Sequence, residues 1–71
     1  MPRYYFNVKR AQMTILDQQG IELPNTAGAE GEAAQRAEQI ATREGQKATR
    51  AGGRMIIIAD DNWEPLLELP F

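Results

Sequence analysis

The sequence predicts an α+β domain in the order β-β-α-β-β: two hairpins joined by one long helix. Three observations predict it. Apolar residues alternate with polar ones at both ends of the chain, an alanine stripe runs through the middle, and each end is broken by an aspartate-rich turn. Strands hide every second side chain and helices every third or fourth, so the two periods separate the elements. The expected architecture is a four-stranded antiparallel sheet with the helix packed on one face, formed by residues 1–71 as a single small domain.

The first strand is read from Pro-Arg-Tyr-Tyr-Phe-Asn-Val-Lys, where Tyr4, Phe6 and Val8 alternate with Tyr5, Asn7 and Lys9. The apolar set belongs on the face that meets the helix. Four residues later Met-Thr-Ile-Leu-Asp begins a second strand, a spacing that suits a hairpin. It ends in Gln-Gln-Gly, where Gly20 is expected at positive φ. Asn25, just after Pro24, is placed to cap the helix that follows.

Ala29, Ala33, Ala37, Ala41 and Ala48, with Ile40, mark the helix's buried stripe. Small side chains let helix and sheet approach closely but bury little area, so a helix of this kind is held less firmly than a leucine-striped one. Gly45 is read either as an interior fault or as the first stop, and Gly52-Gly53 as the final one. The second hairpin follows. Arg54 to Ala59 is apolar on both faces, Asp60-Asp61-Asn62 turns the chain, and Leu67, Leu69 and Phe71 face one way while Leu66, Glu68 and Pro70 face the other. Pro65 and Pro70 lack an amide donor, which suits an edge strand. The sequence leaves strand order open.

Composition excludes much chemistry. The chain has 71 residues, a net charge of −2, and no histidine, cysteine or serine. The usual proton shuttle and the two commonest nucleophiles are missing, so no enzymatic activity and no cofactor are expected. Metal ligands shrink to carboxylates. Asp60, Asn62 and Glu64 imitate the start of a calcium loop, but Pro65 and Phe71 stand where its glycine and closing glutamate belong. Asp17 with Glu22 reads as turn chemistry. No apolar run spans a bilayer, and without cysteine or a signal-like start the cytoplasm is the expected location. Ten of the hydrophobic residues are alanines. So small a core makes a partner subunit a natural source of further stability.

The opening Met-Pro-Arg-Tyr-Tyr-Phe-Asn-Val, the turn Leu-Asp-Gln-Gln-Gly-Ile-Glu-Leu-Pro and the closing Ile-Ile-Ile-Ala-Asp-Asp-Asn-Trp-Glu-Pro-Leu-Leu-Glu-Leu-Pro-Phe resemble a family of short alphaproteobacterial proteins of unknown function. The family opens Pro-Arg-Tyr-(Tyr/Phe)-Phe-His-Val, carries Asp-x-x-Gly-x-Glu-Leu-Pro and ends in Val-Pro-Phe. The resemblance covers nearly the whole chain. It matches Asp17, Gly20, Glu22, Leu23 and Pro24 to the first turn, and Asp60, Leu69, Pro70 and Phe71 to the close. Asn7 stands where the family has histidine, and Trp63 where its second turn has glycine. This departure moves the expected positive φ to Asn62. The resemblance supports the fold and implies no activity.

Two surfaces remain as candidates. Tyr5, Trp63 and Leu66 are expected on the helix-free face as a protein-interaction surface for an unknown partner or a second copy, with a sheet edge as the other place of docking. Tryptophan is enriched among binding hot spots. Arg43, Lys47, Arg50 and Arg54 form a candidate phosphate-contacting cluster, the first three sharing one helix face. Nucleic-acid binding through that cluster is the alternative reading. The aromatic run at the start is not expected to be a base-stacking platform, because the alternation leaves only Tyr5 outside.

Overall fold

The structure, a computed structural model, describes residues 2–11, 13–45 and 53–71. Its elements are β1 (Arg3–Lys9), β2 (Thr14–Ile15), β3 (Ile21–Glu22), α1 (Thr26–Arg43), β4 (Met55–Ala59) and β5 (Pro65–Pro70). All pairings are antiparallel, in the order β2-β1-β4-β5, with β3 also beside β1. The expected element order holds, with five strands in place of four.

The extra strand has a local cause. Val8 pairs with Ile15 and Lys9 with Thr14, then pairing resumes at Tyr4–Ile21 and Arg3–Glu22. Residues 16–20 therefore lie opposite only Tyr5, Phe6 and Asn7, an excess of two that breaks one edge strand into β2 and β3. Even-numbered residues of β1 face this edge throughout. Arg10 exchanges backbone hydrogen bonds with Met13, and the Pro2 carbonyl accepts from the Leu23 amide. At the break, the Phe6 amide donates to the Asp17 carboxylate at 3.1 Å, a side chain in place of the missing backbone partner.

Asn25 caps α1, its Oδ1 accepting from the Gly28 amide at 2.9 Å. The helix closes at Gly45, whose φ is 74° and whose amide donates to the Thr42 carbonyl. Gly45 is thus the first stop. The chain between it and Gly53, with Ala48 and Gly52, lies outside the described residues.

The core is where the alternation placed it. Tyr4 and Phe6 from β1, Ile56 and Ile58 from β4, and Phe71 pack on Ala29, Ala33 and Ala37 of α1. Leu67 and Leu69 of β5 border this cluster and are only half-buried. Against Ala33 and Ala34 they leave an open groove of about 270 Å³, rimmed by Glu30 and Glu68. Alanines bring the helix close to the central strands and are too short to reach the edge strand.

Candidate functional site

The second hairpin turns on one aspartate. Asp60 Oδ1 accepts from the amides of Asn62 at 2.8 Å and Glu64 at 3.0 Å, and the Asp60 carbonyl accepts from the Trp63 amide. Hairpin loops of this length need a left-handed residue at their end. That residue is Trp63, at φ 61°, and not Asn62. The first turn has the same form. Asp17 Oδ1 accepts from Gln19 and Gly20, each at 3.1 Å, and Gly20 holds φ 69°. Both turns place an aspartate first and a left-handed residue fourth. Glycine occupies that place without strain; for an L side chain it costs about 1–2 kcal/mol.

Trp63 packs against β1. Its ring stacks on Tyr5, with centroids 4.5 Å apart and planes 25° from parallel. Tyr5 is half-buried and Trp63 remains 50 % exposed. Leu66, 42 % exposed, is the extra residue of a β-bulge, since Ile58 pairs with Leu67 and Ala59 with Pro65. The pair and the bulge stand at one end of the sheet, where Tyr5, Ala59 and Pro65 are neighbours. Ile57 and Met55 extend the helix-free face from there.

The sheet edges are poor docking strands. Arg54 and Phe71 exchange both backbone bonds, and the antiparallel alternation carries that arrangement to Ile56–Leu69 and Ile58–Leu67. Leu66, Glu68 and Pro70 are left to face outward, and Pro70 has no amide hydrogen. The opposite edge consists of β2 and β3, two residues each. Short strands and prolines are how edges resist further pairing.

Of the expected basic cluster, two residues can be placed. Arg43 is exposed in the last turn of α1, and Lys47 and Arg50 lie outside the described residues. Arg54 is 6 % exposed, with its guanidinium 4.9 Å from the centre of the Phe71 ring and paired with Glu44. The other Glu44 oxygen pairs with Arg10. The Arg10 hydrogen bond leads the forces that hold the Glu44 carboxyl below its usual range; burial opposes it and Arg54 adds to it.

A polar network fills the break between β2 and β3. Asn7, 8 % exposed, is expected on the open face but is buried there: its Oδ1 accepts from the Asp17 amide at 2.9 Å. Arg36 of α1 lies 4.5 Å from the centre of the Phe6 ring and 3.9 Å from Asp17. Burial raises the Asp17 carboxyl, yet the amides of Gly20, Phe6 and Gln19 and the Arg36 charge outweigh it, holding the carboxyl below its ordinary 3.8. A depressed carboxylate stabilises the fold above the unfolded-state value, and that contribution is lost as pH falls through the folded value. Urea midpoints are therefore expected to drop on acidification below about pH 4. Asp17→Asn is expected to cost about 1–3 kcal/mol at neutral pH, since a neutral amide cannot accept all three donors, and to flatten the acid limb.

Sequence reasoning passed over one feature. Met13, Ile15 and Leu16 are each more than half exposed along β2. Three large apolar residues in one short stretch were the available signal, but they read as strand formers. Among the described residues no three carboxylates gather as a metal site, and no helix is long and apolar enough to cross a membrane.

A family model described as "Domain of unknown function (DUF6894)" matches residues 3–71. No curated protein and no solved structure matches the chain.

Proposed function

The chain belongs to the DUF6894 family, whose function is unknown, and from that premise we propose that it is a non-catalytic protein-interaction module. It binds through the helix-free end of its sheet, where Trp63, Tyr5 and Leu66 meet, and its first partner is a second copy of itself. One observation carries the reading. Trp63 holds a left-handed backbone position that glycine would fill without strain, while half of its surface stays in water. Stacking on Tyr5 returns about 0.5–1.5 kcal/mol beyond the area it buries, part of which offsets the backbone strain. The half of the ring left in water adds nothing to the fold and is explained by a contact outside it. The blunted edges favour the face over strand addition.

Trp63→Gly separates the two roles. It relieves the strained φ but loses the stack and the area the ring buries, so folding stability is expected to fall by about 1–3 kcal/mol and leave a folded chain. Association is expected to vanish. Sedimentation velocity over a dilution series checks this: the native chain should move from monomer to dimer with concentration, and Trp63→Gly should remain monomeric. A native chain that is monomeric throughout, and identical to the variant, would remove the self-association reading.

A further inference from the structure

A cleft at the opposite end of the sheet carries a different chemistry. Lys9, Arg10 and Ala11 from the end of β1, with Gly53, Arg54 and Met55 leading into β4, line a hollow of about 300 Å³. Lys9–Met55 and Tyr5–Ala59 are the two ends of the β1–β4 pairing, so the cleft and the aromatic pair lie about 13 Å apart along the strands. Three cations line the cleft, and Glu44 pairs with two of them. Both Glu44 oxygens are already engaged, one by Arg54 Nη1 and one by Arg10 Nη2. Lys9 has no ion-pair partner among the described residues.

Arg54 supplies the second observation. Its Nε points at the Phe71 carbonyl, 3.4 Å away, and its Nη1 at Glu44. Nη2, the remaining corner of the fork, is buried and has no hydrogen-bond partner among the described residues. Buried polar groups are almost always satisfied, and a guanidinium hydrogen held away from both water and an acceptor marks a place for one. An arginine fork beside a lysine and a second arginine suits the oxygens of a phosphate.

We infer that this cleft binds a single phosphate group, free or as the terminal monoester of a small molecule. Arg54 Nη2 donates to one oxygen, Arg10 and Lys9 to the others. Arg10, a long and partly exposed side chain, rotates to admit the anion and remains charged. The positive charge left after Glu44 is neutralised matches the near-dianionic charge of a monoester at neutral pH. A polynucleotide chain offers only singly charged diesters and needs a track of cations, whereas this hollow gathers its three cations among six lining residues.

The test is a titration of the full chain with inorganic phosphate, replacing chloride at constant ionic strength. Backbone amide shifts and the Arg54 Nε–Hε signal are followed by NMR. Saturable shifts are expected at Lys9–Ala11, Gly53–Met55 and the Arg54 side chain, with a midpoint on the order of 1 mM. Lys9→Gln touches no partner in the fold and should weaken binding about tenfold, the usual effect of losing one charge-assisted contact. Glycerol phosphate should bind as well as inorganic phosphate if the natural ligand is a monoester, and more weakly if it is the free ion; either result keeps the site. Linear shifts that chloride reproduces would overturn it, as would a midpoint unmoved in Lys9→Gln. Tighter binding of a single-stranded oligonucleotide, with a steep salt dependence, would replace it with a nucleic-acid surface.

Discussion

Phe71→Ala is expected to remove about half of the protein's folding stability. Phe71 is 1 % exposed and is one of three large side chains that are fully buried, with Ile56 and Ile58. Truncating a buried phenylalanine costs about 3–5 kcal/mol, because the lost transfer energy is joined by a cavity that only partly collapses. A chain of this length has on the order of 4–10 kcal/mol in total. The alanines that share this core are too short to fill the gap. The loss extends to Arg54. The Phe71 ring covers its guanidinium, and the two residues exchange the backbone bonds that close the end of the β4–β5 ladder. Without the ring, water reaches Arg54 and the pair frays. Phe71→Leu keeps an apolar plug and should cost about 1–2 kcal/mol. Urea unfolding followed by the fluorescence of Trp63 measures both. An alanine variant within 1 kcal/mol of the native chain would mean that the last residue is not part of the core.

The contrast between what this sequence discloses and what it conceals follows the range of the interactions. Tyr4, Phe6, Leu67 and Leu69 could be assigned an inner face because strand alternation is a property of neighbours. Asn25 and Gly20 could be assigned a cap and a left-handed turn for the same reason: each acts within three residues of itself. The division of the second strand could not be read this way. It depends on the Asp17 carboxylate reaching the Phe6 amide, eleven residues away in sequence, and nothing local distinguishes that aspartate from one that merely ends a strand. Most polar side chains prefer the surface, and Asn7 and Arg54 depart from that preference. Each is buried here because a distant partner, the Asp17 amide for one and Glu44 for the other, answers its hydrogen-bonding groups.

Trp63 is the instructive case within the candidate site. Four-residue turns beginning with aspartate were visible at both ends of the chain, and the place needing positive φ was known in the first. Steric preference argued for shifting that place to Asn62 in the second. The backbone geometry instead follows the spacing from the aspartate, because the Asp60 side chain fixes the amides of Asn62 and Glu64 and leaves Trp63 no other conformation. Turn hydrogen bonding outweighed side-chain preference, and the tryptophan was carried into an exposed, strained position where it meets Tyr5.

Gly20→Ala is expected to be nearly as damaging as the loss of Phe71, for a different reason, and Gly45→Ala provides the control. Both glycines hold positive φ, 69° and 74°. Among the described residues a methyl group at Gly45 meets nothing within 4 Å, so its cost there is backbone strain alone, about 1 kcal/mol. At Gly20 the same methyl stands 2.9 Å from the Tyr4 carbonyl oxygen, 2.9 Å from Arg3 Cγ and 3.0 Å from Tyr5 Cε2. The arginine chain can move aside, but the Tyr4 carbonyl belongs to β1 and cannot. Relief then requires the 16–20 segment to lift from the sheet. That withdraws Asp17 from the Phe6 amide and leaves a ladder donor unpaired, at a further cost of about 1–3 kcal/mol. Gly20→Ala should therefore destabilise by about 2–4 kcal/mol, about 1–3 kcal/mol beyond Gly45→Ala. It should also increase hydrogen exchange at the Phe6 amide, and shift the Tyr5 ring that supports Trp63. Equal costs at the two glycines would show that the segment between β2 and β3 does not press on β1, and the account of the broken edge strand would fail with it.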